Sequence, residues 1–392
     1  MTARPVYIAR YARSAVVPVG GAFKTLQVHD IATPVLHALL QQTGLPASAV
    51  QTVVLGNALG AGGNPARMLA LAAGLPISSA AYTIDTQCCA GLDAVALGAS
   101  LIASGQADVV IAGGAEAWSR APIRATRPLR ASDAPVPYER PAFAPNTQDD
   151  PDLLLAAARY AAAQGHSRAA QDRYAAASHA RALQSATYLA GEIIPINGIA
   201  QDTFPRQLTE RHLARTPTAA QTDDAAASDT ERQACAVSNL AVSPKADGAA
   251  LLLLMSDAAC QRYRVAPCAR WLAHQSLGGA PAMPLVLAAD AATTLLHAQS
   301  LRWADLSAIE LHDAFAVQGL QWQALLRDQS MDTSVLNRHG GGIARGHPIG
   351  ASAAVALVRV LADLQAAPRG SLGLASVAGA GGMGSSGLVA KA

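Results

Sequence analysis

The stretch TIDTQCCAGLDAV, residues 83–95, puts two adjacent cysteines, Cys88 and Cys89, between a polar turn and a run of small residues with helical character. Neighbouring cysteines close only a strained ring, so a reactive thiol suits this junction better than a disulfide. At a helix N-terminus the free N–H groups and the positive dipole end favour the thiolate, which is expected to lower a free thiol pKa of about 8.5. A thiolate attacks a thioester carbonyl well and leaves a covalent acyl-enzyme. An arbitrary cysteine is more often a small buried hydrophobe, so a reactive Cys88 needs a base and a place for negative charge from elsewhere. GHPIGAS, residues 346–352, offers the base: Gly346 and Pro348 pin the backbone around His347, and small residues start the next helix. A neutral imidazole held this way takes a thiol proton, and its N–H can afterwards face a thioester oxygen, although a lone histidine is more often structural. A further histidine, His312, opens the run His312-Asp313-Ala314-Phe315.

The elements that must position these groups alternate. Residues 5–9 (PVYIA) and 52–56 (TVVLG) read as strands, and VHDIATPVLHALLQQTGL between them carries apolar positions at helical spacing up to Gly44. GNPARMLALAAGL is another helix with a glycine stop, and GLDAVALGASLIASGQADVVIAGG is a helix ended at Gly105 followed by a strand, Val109–Ala112, buried on both faces. Such alternation implies an α/β fold with a mainly parallel sheet. Residues 120–150 are rich in Pro, Arg and Asp and read as irregular; 151–193 is strongly helical with a break at Gly165-His166-Ser167, where Ser167 caps the second helix; 201–235 is irregular again. The expected organisation is an N-terminal half, 1–119, an inserted, partly helical loop subdomain, 120–245, and a C-terminal half, 246–392. In that last part the rhythm returns with GAALLLLMS, ARWLAHQS, a helix around 287–300, the strand AIELHDAF and a helix from Val317 to Arg327. In each half a reactive residue precedes a helix of small residues, and a buried strand then runs into a glycine cluster. This echo reads as two similar α/β halves.

The totals narrow the function classes. A chain of 392 residues holds two or three domains, and 51% hydrophobic residues supply a large core. Only 4% are aromatic, so Ala, Leu and Val must fill that core in close, helix-rich packing. A net charge of +2 without a long basic run argues against nucleic acid as a partner. Five cysteines without a regular framework suit a reducing compartment. The N-terminal MTARPVYIARYARSAV has no apolar core long enough for a signal peptide, and no run of 18 apolar residues marks a membrane span. The sequence contains neither HExxH nor CxxC, so no metal site is expected. A cytoplasmic enzyme is the expectation.

TQCCAGLDAV, GGAEAWSRAP, HDAFA and GGGIARGHPIGAS resemble the four signature blocks of the thiolase family, in the family's order and at about its spacing. GNPAR, SRAAQDRYAAASHARA and the late GGMG match as well, so the similarity covers nearly the whole chain and is weakest at 120–150 and 200–245. The resemblance implies a five-layered αβαβα fold. It places Cys88 where thiolases carry the acylated cysteine and His347 where the matching histidine activates that nucleophile. It also implies a second oxyanion hole from the backbone N–H groups of Cys88 and Ala380, and a pantetheine channel lined by Ala314 and Phe315. Coenzyme A and acyl-CoA enter as substrates, with no bound cofactor, and a homodimer or homotetramer is expected. Cys89 falls where the family has a small residue and reads as packing, with a redox or proton-transfer role as the alternative. Arg120, Arg124, Arg127 and Arg130 suit coenzyme A phosphates and a solvated surface equally and stay unassigned.

Two departures bear on the chemistry. The common Asn-Glu-Ala-Phe block is His312-Asp313-Ala314-Phe315 here, so a titratable ring replaces the amide that holds an oxyanion through water. An HD-type block occurs in the sterol-carrier-protein-type branch, where a cysteine usually follows; here Ala314 follows. The usual closing Cys-x-Gly-Gly-Gly is VAGAGGMG, and Ala378 stands at the cysteine that moves a proton at the substrate α-carbon. The leading expectation is therefore an acyl-CoA acyltransferase of the thiolase family working through an acyl-cysteine, with 3-ketoacyl-CoA thiolysis and Claisen condensation impaired at Ala378. Three alternatives stand beside it: a decarboxylating, ketosynthase-like condensation with a Cys-His-His set, acyl transfer to water or another nucleophile, and a non-catalytic CoA-binding partner.

Overall fold

A computed structural model describes residues 4–60 and 62–392. Nine strands, introduced here in chain order, form the frame: β1 (Val6–Arg13), β2 (Thr52–Gly56), β3 (Ala80–Ile84), β4 (Val109–Ala117), β5 (Ala246–Ser256), β6 (Ala269–Gly278), β7 (Leu306–His312), β8 (Leu372–Gly379) and β9 (Met383–Lys391). They join in one sheet in the order β7-β8-β9-β6-β1-β5-β4-β2-β3, to which the two-residue strand Val17–Pro18 adds at β5. The sheet is mixed rather than mainly parallel. β3, β2 and β4 run parallel, as do β7 and β8, but β5 is antiparallel to both β1 and β4, and β9 to both β8 and β6. The expectation of a mainly parallel sheet came from helix–strand alternation, which β8 and β9 break: they form a hairpin through Ala380–Gly382 with no helix between them.

Helices α1 (Val28–Thr43) and α2 (Pro65–Ala72) cover one outer face; α6 (Leu287–Ala298) and α7 (Ala316–Asp328) cover the other. Between the two halves of the sheet lie α3 (Ala90–Ala103) and α8 (Ile349–Leu364). The alternation along β5 shows the layering directly. Leu251 and Leu253 face Val35, Leu36 and Leu69 of the outer helices, whereas Leu252 and Leu254 face Leu92, Val95 and Leu357 of the middle layer. The result is the expected five layers, helix–sheet–helix–sheet–helix. β5 is buried along its whole length on both faces and sits between β1 and β4, in the N-terminal half of the sheet. The sequence reading puts it in the C-terminal part, because an all-apolar run says that a strand is central without saying in which half.

Residues 120–245 contribute α4 (Leu153–Ala163) and α5 (Arg168–Gln184), which pack on Phe315, Ala316, Val317 and Ile343. Ser167 caps α5 as expected, accepting from Ala170 N–H at 3.2 Å. The stretches read as irregular hold a short hairpin, Arg124–Thr126 with Val136–Tyr138, and short helices at Glu210–Arg215 and Asp229–Ala234. A buried ion network ties this region to both halves: Glu192 accepts from Arg13 of β1 and from Arg359 of α8, and Asp202 also accepts from Arg13.

The small residues after Cys88 and His347 have a packing cause. α3 and α8 meet near their N-terminal ends, where a Cβ at Gly91 would stand 2.9 Å from Gly350 O and from Ala354 N. Two helices that close leave no room for larger side chains, and their shared position brings the residues preceding them together.

Candidate active site

Cys88 sits on a strained turn. β3 ends at Ile84, and Asp85 Oδ1 accepts from both the backbone N–H and the side-chain amide of Gln87, at 3.0 and 2.9 Å. Gln87 has φ +54°, a left-handed conformation that costs a non-glycine residue energy and is held here by the turn. Thr86 Oγ1 donates to Asp93 Oδ2 at 2.6 Å, tying the turn to the first turn of α3. Cys88 and Cys89 lie in the single turn that leads into that helix.

His347 is brought in from the other half. Its backbone N–H donates to Pro244 O at 2.7 Å, and the positive φ of Gly346, +116°, lets the chain turn just before it. Its Nε2 lies 3.2 Å from Cys88 Sγ, across 259 residues of chain. Its Nδ1 lies 2.7 Å from Ser352 Oγ. His312, at the end of β7, stacks on it: the ring centroids are 4.4 Å apart and the planes 28° from parallel. His312 is 3% exposed, and its Nε2 has no hydrogen-bond partner. The three side chains named from the sequence therefore meet at one place.

The electrostatics differ from the sequence expectation at Cys88. Its thiol is pushed up to about 12, because burial outweighs the backbone N–H groups of Ala380 and Cys88 that pull it down. The helix N-terminus contributes in the expected direction, but removing a thiolate from water costs more. Burial likewise depresses His347 to about 4. His312 lies well below the usual histidine range through burial first, then the neighbouring His347 and Arg345. At neutral pH the resting site is a thiol beside two neutral imidazoles.

Several groups hold this arrangement that the sequence reading did not single out. Glu310 and Arg345 form a buried ion pair, each two residues from one of the histidines. Asp313, fully buried, accepts from Tyr174 O–H at 2.6 Å and from Ile343 N–H at 3.3 Å. Glu116, in the GGAEAW block, accepts from Asn57 Nδ2 at 2.7 Å and from the N–H groups of Ala58 and Gly350, both at 3.0 Å. It thereby links the end of β2 to the first turn of α8, and burial raises its carboxyl to about 7. Their signal in the sequence was only that these acids sit inside apolar or glycine-rich blocks, where a carboxylate has to find partners.

Ala378 and Ala380 flank Gly379 at the β8–β9 turn, 9% and 4% exposed. Ala378 packs with Ala288, Leu311 and Leu388. Side chains alternate along a strand, so the opposite side of β8 belongs to Gly379, where an added Cβ would come 3.1 Å from Cys89 Sγ. The Cys89 thiol is directed at Val377 O and is 1% exposed, packed between α3 and β8 rather than beside Ala378. Phe315 is buried against Tyr174 and Ile343, and Ala314 is partly exposed with its carbonyl accepting from Ser243 N–H at 2.8 Å. Of the four arginines, Arg124 donates to the carbonyls of Ala58 and Leu59, while Arg120, Arg127 and Arg130 are exposed. Among the described residues no group of three or more His, Cys, Asp or Glu is placed to hold a metal ion.

Comparison with known proteins covers nearly the whole chain. The family model for the N-terminal domain of thiolase matches residues 6–258, and that for the C-terminal domain matches 265–391. The chain belongs to the thiolase family. It is 34% identical to an acetyl-CoA acetyltransferase of Thiocystis violacea, with 92% of each chain covered, and 34% identical to one from Rhizobium meliloti, with 97% of each covered. Among solved structures, the acetyl-CoA acetyltransferase of Bacillus anthracis superposes with a TM-score of 0.87 at 27% identity, covering 100% of both chains. A thiolase from Ascaris suum in complex with coenzyme A superposes at 0.88 and 27% identity, covering 99% of this chain and 100% of that one. The N-terminal thiolase match includes the inserted region and β5, in line with the position of β5 in the sheet. No helix among the described residues is long and apolar enough to cross a membrane.

Proposed function

We propose that this thiolase-family acyltransferase takes an acyl group from an acyl-CoA onto Cys88 and passes it to a second substrate. The observation that carries the reading is the 3.2 Å approach of Cys88 Sγ to His347 Nε2, with the backbone N–H groups of Ala380 and Cys88 favouring the thiolate. As Sγ attacks the thioester carbonyl, Nε2 takes the thiol proton. The tetrahedral intermediate collapses, the carbon–sulfur bond to coenzyme A breaks, and the imidazolium returns the proton to the departing thiolate. The N–H groups of Cys88 and Ala380 then face the carbonyl oxygen of the acyl-enzyme. His312 faces the oxygen of the other thioester, and Ala314 and Phe315 border the pantetheine arm.

The second half-reaction is where this chain differs. By the resemblance to the family, Ala378 stands where an acid/base cysteine is expected; its methyl packs with Ala288, Leu311 and Leu388, and the Cys89 thiol packs on the far side of β8. Loss of a general base costs about 10²–10⁴ in rate, so thiolysis and Claisen condensation that depend on α-proton transfer are slow in this enzyme. A decarboxylating condensation is the second reading. The stacked pair His312 and His347 beside Cys88 favours it, because decarboxylation makes the carbanion without α-proton abstraction. A homodimer or homotetramer is supported by the edge strand β3, beside which Tyr82, Ile77 and Leu71 are exposed. The test is intact mass after mixing with acetyl-CoA, followed by a chase with coenzyme A, malonyl-CoA, water or small nucleophiles. One acyl group per chain on Cys88 supports the proposal; label on Cys89, or no covalent label, refutes it.

A further inference from the structure

Ser352 stands on α8 one turn beyond Pro348 and is 1% exposed. Its Oγ lies 3.0 Å from Pro348 O and 2.7 Å from His347 Nδ1. A hydroxyl has one hydrogen, and a carbonyl oxygen can only accept. The bond to Pro348 O is the back-bond that a helical serine makes to the carbonyl four residues earlier, and it uses that hydrogen. With the hydrogen so placed, the hydroxyl oxygen accepts from His347 and Nδ1 carries the proton. In a neutral imidazole the other nitrogen is then the lone-pair site. That nitrogen, Nε2, is the one facing Cys88 Sγ.

We infer that Ser352 is a positioning residue that fixes the tautomer of His347, so that Nε2 presents a lone pair to the Cys88 thiol and serves as its base. The inference rests on the reading of Cys88 as nucleophile and His347 as its base. In the opposite tautomer, Nε2–H would point a hydrogen at a thiol that itself has a proton to lose, and Nδ1 would find a donor only by drawing the Ser352 hydrogen away from Pro348 O. Burial holds His347 neutral, so the choice between tautomers is real at working pH. The same contact serves the charged state: once Nε2 has taken the thiol proton, the Nδ1–H bond to Ser352 stabilises the imidazolium and keeps the ring in plane for the return of that proton. Ser352 itself never touches substrate.

The test uses wild type, Ser352→Ala and His347→Ala in single-turnover acylation by acetyl-CoA at neutral pH, with the acyl-enzyme followed by intact mass over a range of substrate concentrations. Partners that orient a working histidine are typically worth ten- to a hundredfold. Ser352→Ala should lower the acylation rate constant by that factor and leave the half-saturating acetyl-CoA concentration unchanged, because no substrate contact is lost. A second readout needs no variant to define the state: a long-range ¹⁵N–¹H spectrum of histidine-labelled wild type, with the signal assigned by its loss in His347→Ala, should show His347 as the Nδ1–H form. The Ser352→Ala protein should lose that signature. An Nε2–H form in wild type overturns the proposal, as does an undiminished acylation rate in Ser352→Ala when His347→Ala is slow. If His347→Ala itself acylates at the wild-type rate, the base assignment falls, and this inference with it.

Discussion

Replacing His347 by alanine removes the only group among the described residues placed within hydrogen-bond reach of the Cys88 thiol that can take its proton. Without that base, acylation must start from thiolate that forms unaided. With a thiol pKa of about 12, roughly one molecule in 10⁵ carries thiolate at pH 7. Deleting the ring admits water and moves the thiol toward its ordinary value of about 8.5, at which roughly 3% is ionised at pH 7. The first figure is the limit with no relaxation and the second the limit with full solvation. The expected loss in acylation rate at pH 7 lies within the range typical of a positioned base, about 10²–10⁴. The pH profile separates this from simple misplacement of the thiol. The wild-type imidazole, depressed to about 4, is already unprotonated above pH 6, so its acylation rate should be flat from there to about pH 9. The variant should gain close to tenfold per pH unit until its thiol ionises, so the deficit shrinks steadily. Rapid-quench mixing with acetyl-CoA and intact-mass detection measures both. An unchanged rate at pH 7, or a deficit that stays constant up to pH 9, would remove His347 from the mechanism.

Other outcomes are as definite. Cys88→Ser should abolish the thioester label from acetyl-CoA, and Cys89→Ala should leave it intact; labelling at Cys89 in Cys88→Ser, or loss of the label in Cys89→Ala, contradicts the assignment. Ala378→Cys should raise thiolysis of acetoacetyl-CoA by up to about 10²–10⁴ without speeding acylation. Wild-type thiolysis at the rate of this variant, retained in Cys89→Ala, would show that another group moves the α-proton. Acidification should destabilise the fold. His347 and His179, both depressed to about 4, and His312, well below its usual range, bind protons in the unfolded chain that the folded chain refuses between about pH 6.5 and 4. Stability therefore falls as the pH drops through that window, by about 2 kcal/mol at pH 5 for each of His347 and His179, and His312 adds a loss of the same sign. Glu116 has the opposite sign: raised to about 7, it binds its proton more readily when folded and returns about 2 kcal/mol between pH 7 and 5. His347, His179 and Glu116 together leave a loss of about 2 kcal/mol at pH 5, which His312 deepens, and thermal melts that do not change between pH 7 and 5 would contradict it.

Much of the frame and its chemistry was legible in the chain itself, where the information is local. Hydrophobic period and glycine stops located α1, α2 and α7 to within a few residues, and Ser167 announced the start of α5 because a cap depends on its own turn. Cys88, His347 and His312 were nameable because each lies in a short block that resembles a signature of the thiolase family. Their meeting was not legible from spacing: the cysteine and His347 are 259 positions apart, and only the packing of α3 against α8 brings them to 3.2 Å. Two features were misread for the same reason. β5 looked C-terminal because apolar composition reports burial and not the neighbouring strand. The Cys88 thiol looked acidic because a helix N-terminus can be read from the sequence, whereas the desolvation that outweighs it comes from atoms of the opposite half. The direction of Cys89, toward Gly379 and away from Ala378, was likewise decided by β8. So was the contact between His347 and Ser352: both residues stand in one motif, but the helix decides what the hydroxyl's single hydrogen can reach. The sequence by itself determined which groups are present and which elements carry them; the tertiary structure decided which of those groups touch, which lose water, and which proton each one keeps.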